Sequence, residues 1–185
     1  MPVDQNDFGF AREYRIELNP ELPPKGPWPL PAFTFGGKGK ERLTIRITPD
    51  EGAPWVASFA LEVRGVLNGV YACPSPAHLL VLTGLDAFLM LSNDPGATIR
   101  LPIHPTRAVA RPNASDLLLV SSFTDVAAID RDGLLWETDR LFLDDLEILE
   151  APPGRIRVRG VPEIPSEATV LELDTLTGRV LARSA

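Results

Sequence analysis

Three segments of the chain share one plan. AFLMLSNDPGATIRL (87–101), DVAAIDRDGLLWET (125–138) and TVLELDTLTGRVLAR (169–183) each run an apolar strand, a polar turn and a second strand, with Gly96, Gly133 and Gly178 in the turns. An apolar strand precedes each hairpin: HLLVLTG (78–84), DLLLVSS (116–122) and RIRVRG (155–160). Before those stand GVYACPSP (69–76), TRAVARPN (106–113) and LEILEAPPG (146–154), each ending in a proline-containing turn. Four strands thus recur three times, which predicts four-stranded antiparallel units in series.

A hairpin needs a residue that accepts a left-handed or crowded backbone, and glycine does so without steric cost. Gly96, Gly133 and Gly178 are read in that structural role. Asp130 and Asp174 stand where a carboxylate can accept hydrogen bonds from turn N–H groups and fix the register. Trp136 reads as packing between neighbouring units. The stretch ETDRLFLDDLEILEA (137–151) has some residues at helical spacing, but Leu146, Ile148 and the alignment with the other units predict a strand.

Residues 1–68 lie outside the recurrence and are expected to pack on the body of a single domain, with 69–185 holding the three units. RLTIRITP (42–49) places Leu43, Ile45 and Ile47 on one face and Thr44, Arg46 and Thr48 on the other, and WVASFALEVRG (55–65) alternates likewise. Asn68-Gly69 predicts a turn joining ALEVRGVL to VYAC. The 19 prolines and 14 glycines among 185 residues exclude a helical bundle, because each proline removes a donor and clashes inside a helix. Proline is densest in NPELPPKGPWPLPAFTFGGKG (19–39), which reads as an extended connection. Trp28 and Phe33 predict that it packs across the body. The spacing from Pro24 to Pro27 offers the alternative of a short ligand for an aromatic-groove domain.

Gly96, Gly133 and Gly178 stand 37 and 45 residues apart, close to the span of one four-stranded propeller blade. In these features the chain resembles β-propeller repeat proteins. LELDTLTGRVLARS (171–184) is similar to a quinoprotein-like blade hairpin, in which an aspartate precedes a Thr-Gly turn, and FTDVAAIDRDGLLWETDRL (123–141) resembles a pattern of uncharacterised bacterial proteins. The sequence departs from those families in having no WD dipeptide, kelch glycine pair or quinoprotein tryptophan motif. The resemblance covers 69–185 and implies an all-β, small or partial β-propeller-like fold, with strands at 43–48 and 55–66 available for a fourth unit. An antiparallel β-sandwich is the alternative.

The formal charge of −7 argues against a nucleic-acid partner, since phosphate binding needs concentrated positive potential. Cys73 is the only cysteine, which excludes an intrachain disulfide and favours the cytoplasm. The N-terminus has no basic-then-apolar leader, and no apolar run is long enough to span a bilayer, so no membrane association is expected. With His78, His104 and Cys73 in separate segments, no metal site and no cofactor are expected. DRDG (130–133) lacks the later ligands of a calcium loop. No GxSxG, phosphate-cradling glycine loop, dinucleotide fingerprint or HExxH occurs, so no catalytic residue is assigned.

These readings converge on a non-catalytic intracellular binding or scaffolding module, with a protein partner or self-association expected and any small-molecule ligand unknown. Trp28 and Trp55, outside the recurrence, are the residues expected to anchor a partner. Two alternatives stand. One is a hydrolase using carboxylates such as Asp144 and Asp145 within the run Asp139, Asp144, Asp145, Glu147 and Glu150. The other is an acidic, immunity-type inhibitory partner of a basic protein.

Overall fold

The computed structural model describes residues 3–21, 27–37, 41–61, 67–112, 115–152, 154–163 and 167–184. Among these residues the chain is all-β, with no α-helix. Four sheets of four or five mostly antiparallel strands form, and none closes into a barrel.

The first sheet comes from the N-terminal third: β2 (Tyr14–Leu18), β3 (Ala32–Phe35), β4 (Arg42–Pro49) and β5 (Trp55–Ala60), in the order β2-β4-β5-β3. The second is β6 (Asn68–Ala72), β7 (His78–Thr83), β8 (Ala87–Leu91) and β9 (Asp94–Leu101), with β1 (Asp4–Asn6) added in parallel beside β6. The third is β10 (Ala108–Ala110), β11 (Leu118–Ser121), β12 (Val126–Asp130) and β13 (Gly133–Glu137). The fourth is β14 (Asp144–Glu150), β15 (Arg155–Val161), β16 (Thr169–Asp174) and β17 (Val180–Ser184). Each segment aligned in the sequence therefore folds as its own antiparallel meander, and β14 settles the ambiguous stretch as strand.

The sheets stack face to face. Leu43, Ile45, Ile47, Ala57 and Phe59 of the first meet Val70, Leu79, Val81, Phe88 and Met90 of the second. The other face of the second presents Leu80, Leu82, Ala87 and Leu89 to Leu118, Val120, Ala127 and Ile129 of the third. The third then turns Leu119, Val126 and Ala128 toward Ile156, Val158, Leu171 and Leu173 of the fourth. Among the described residues, no buried cluster joins the first sheet to the fourth. Position in the stack explains the composition of the strands. Inner sheets are covered on both faces, so LLVL (79–82) and VAAI (126–129) are apolar throughout, and every large side chain there gains ~1.5–3 kcal/mol on burial. End sheets are covered on one face, and RIRVRG alternates.

Two turn assignments change. Asn68-Gly69 lies within β6, paired with Thr83 and Leu82, and makes no turn. Gly69 serves a close approach instead, since a Cβ there would stand 2.3 Å from the Tyr71 hydroxyl. The strand expected to precede that turn, 62–66, lies outside the described residues. Gly133 and Gly178 have φ of +123° and +68°, but Gly96 is not in the left-handed region. Gly96 lies inside β9, beyond the Ser92-Asn93 turn, so it is not the turn residue expected, and its N–H donates to Asp94 Oδ1 at 2.9 Å.

Candidate functional site

The three tryptophans have different surroundings. Trp55 is 2% exposed in the cluster between the first two sheets, and its indole N–H donates to the Ser92 carbonyl at 2.7 Å. Its ring meets Phe33 edge-on at 5.6 Å. Trp55 is therefore a core residue and cannot anchor a partner, a correction to the expectation from sequence. Trp136, 8% exposed, crosses from the third sheet to the fourth and donates to the Thr175 carbonyl at 2.9 Å. Gly178 lies against it, where a Cβ would come 2.6 Å from the ring. Trp28 differs from both. It is half-buried, and among the described residues nothing accepts from its indole N–H.

Trp28 lines a groove of about 300 Å³ with Pro20, Glu21, Pro29 and Leu30, over Glu17 and Arg46 of the first sheet. Both walls are anchored to that sheet. β2 ends at Leu18, and Asn19, at φ 46°, donates its N–H to the Thr44 carbonyl at 2.7 Å and accepts from the Thr44 N–H at 3.2 Å. Asn tolerates this left-handed conformation, and its side chain extends the ladder while the backbone turns away into Pro20. The opposite wall is held where the Pro31 carbonyl accepts from Val56 N–H at 2.9 Å, just before β3 runs parallel to β5. Val56, which points away from the core cluster, is only 1% exposed, while Arg46, Glu17 and Ser58 on the same outer face stay exposed or half-buried. The proline-rich segment thus packs on the body as its aromatic residues predict. The Pro24-to-Pro27 ligand reading lies partly outside the described residues.

The aspartates placed in turns act within them. Asp130 Oδ1 accepts from Asp132 N–H at 2.8 Å. Asp174 Oδ1 accepts from the Thr177 hydroxyl at 2.8 Å and from the Leu176 and Thr177 N–H groups. These bonds, led by the Thr177 hydroxyl, hold the Asp174 carboxyl below the usual carboxylate range.

The acidic run of the third and fourth sheets is not gathered in a cleft. Asp139, Asp144 and Asp145 are exposed. Asp145 pairs with Arg107 at 2.7 Å, Glu147 with Arg159 at 2.6 Å, and Glu150 with Arg157. Neither Asp144 nor Asp145 is desolvated, which is what acid–base hydrolysis requires of one of its pair. Cys73 is fully buried, and burial raises its thiol well above the ordinary range. Among the described residues, no three His, Cys, Asp or Glu side chains converge as metal ligands.

One acidic feature had no signal in the sequence. Glu13 and the adjacent pair Asp50 and Glu51, from two separate segments, line a cleft of about 420 Å³ with Ser92 and Asn93 between the first two sheets. Among the described residues none of the three is ion-paired. The chain matches no protein-family model, and no curated protein matches it significantly. No helix among the described residues is long and apolar enough to cross a membrane.

Proposed function

We propose that the chain is a non-catalytic binding or scaffolding module of the cytoplasm, built as a small open propeller-like array, and that the Trp28 groove is its contact surface. The observation that carries this reading is the contrast among the tryptophans. Two spend their ring and N–H on joining sheets, while the third lines a surface groove with a donor that has no acceptor among the described residues. A large aromatic with an unspent donor in a shallow apolar groove is the composition of an interaction hot spot. In the array, a face-to-face series of four meanders supplies a rigid mount, and rigidity lowers the ordering cost of binding.

The test compares affinity capture by the full chain and by Trp28→Ala from the same extract. A protein retained by the first and lost by the second, with both baits equally folded by circular dichroism, supports the reading. Equal retention by both overturns it. A second reading, an acidic partner of a basic protein, is favoured by the unpaired carboxylates of Glu13, Asp50 and Glu51. It expects capture that fails above about 0.3 M salt, where screening shortens the reach of surface charge.

A further inference from the structure

We infer that the Trp28 groove takes an extended, proline-bearing peptide segment of a partner protein, oriented by opposite charges at the groove's two ends; this rests on the binding-module reading above. The walls supply the first part. Pro20, Trp28, Pro29 and Leu30 offer flat apolar surfaces and few hydrogen-bonding groups. A polyproline-type segment has no internal hydrogen bonds, presents pyrrolidine rings for stacking, and is already extended, so it loses little entropy on docking. Its carbonyls remain free, and the Trp28 N–H, which has no acceptor among the described residues, can donate to one of them.

The surroundings supply the direction. A second depression of about 310 Å³ adjoins the groove along β2 and β4, sharing Glu17 and Arg46 and adding Arg15, Ile16 and Thr48. From Arg15 to Leu18 the extended strand covers roughly 10 Å, and beyond it the chain turns at Asn19 toward Pro20 and Glu21. At the centre Arg46 and Glu17 stand 3.8 Å apart and offset one another. At the ends, among the described residues, Glu21 beside Trp28 and Arg15 at the far side have no ion partner. A ligand with a basic residue at one end of its proline run and an acidic residue at the other satisfies both, and reversed charges place like against like.

The experiment measures fluorescence anisotropy of a labelled ten-residue peptide with a central Pro-Pro-Leu-Pro run, Arg at one end and Glu at the other, against the full-length protein. Binding is expected to weaken about ten-fold or more with Trp28→Ala and with a Gly-Ser peptide of equal charge. Glu21→Lys, an exposed change that leaves the core untouched, is expected to weaken binding several-fold by repelling the basic end. Equal binding of the Gly-Ser control, or indifference to both Trp28→Ala and Glu21→Lys, overturns the proposal. If no peptide binds while protein capture still depends on Trp28, the peptide class is wrong and the binding module stands. If capture is also indifferent to Trp28, both fall.

Discussion

The first and fourth sheets both end the stack, yet they meet water in different ways. The outer face of the fourth is an open lattice of charge. Arg155 pairs with Glu172 at 2.5 Å, Arg157 lies between Glu150 and Glu172, and Arg159 pairs with Glu147, so three arginines of β15 are matched across β14 and β16. The outer face of the first has, among the described residues, one loose pair, Arg46 with Glu17, beneath a groove that Trp28 and Pro29 of the proline-rich segment line. A cross-strand ion lattice leaves no room for a visitor, because each charge already has its partner. A strap stands off the sheet and leaves a groove. The covering segment thus leaves the groove on which the proposed binding rests.

The largest effect expected in testing this contrast lies beneath both faces. Phe59 stacks on Phe35 at 5.2 Å and meets Phe88 at 5.4 Å with no exposure, so Phe59→Ala is expected to cost about 3–5 kcal/mol in urea unfolding. A loss below about 1 kcal/mol would show that the first sheet is not held by this cluster. At the other end, Gly178→Ala forces a left-handed φ on alanine and drives its methyl into Trp136, with an expected loss of about 2 kcal/mol by thermal melting. Arg157→Ala removes the centre of a lattice whose members are a quarter to a half exposed. Its cost is expected to be under about 1 kcal/mol and to shrink in 1 M salt. Trp28→Ala is smaller still in stability, within about 0.5 kcal/mol, while being the largest of the set in binding.

A pH measurement probes the seam between the first two sheets, where the Tyr14 hydroxyl donates to the His78 carbonyl at 3.1 Å. Burial lowers the His78 imidazole below its ordinary value of 6.5. The unfolded chain then binds more protons in that range, so the stability linked to His78 is complete above pH 6.5 and declines as pH falls toward the lower folded value. His78→Asn is expected to flatten this slope between pH 7 and pH 5. An unchanged slope assigns it to other groups.

Period-two alternation and turn glycines made the three meanders legible before any coordinates, because both are local properties of the backbone. Inter-sheet packing by Trp136 was legible for the same reason, since its strand position dictates its face. Trp55 was misread because alternation says that two faces exist, not which one a neighbouring sheet covers. Asn68-Gly69 was misread because the turn preference of that pair is worth less than burying Tyr71 across the glycine. The acidic cleft and the floor of the groove were invisible, each being assembled from segments tens of residues apart. Spatial convergence leaves no period in a sequence.

The N-terminal clip has a temporal consequence. β1 lies beside β6, the Tyr71 hydroxyl donates to Asp4 at 3.0 Å, and Arg111 donates to the Phe8 carbonyl across 103 positions while covering the Phe10 ring at 4.0 Å. Residues 4–10 thus take their full set of contacts only once Arg111, 103 positions beyond Phe8, has been made. Loops of that length close slowly, and local meanders close fast. Refolding followed at Trp136 of the third sheet is expected to run ahead of the burial of Phe8 and Phe10, and removing residues 3–10 should spare the early phase and erase the late one.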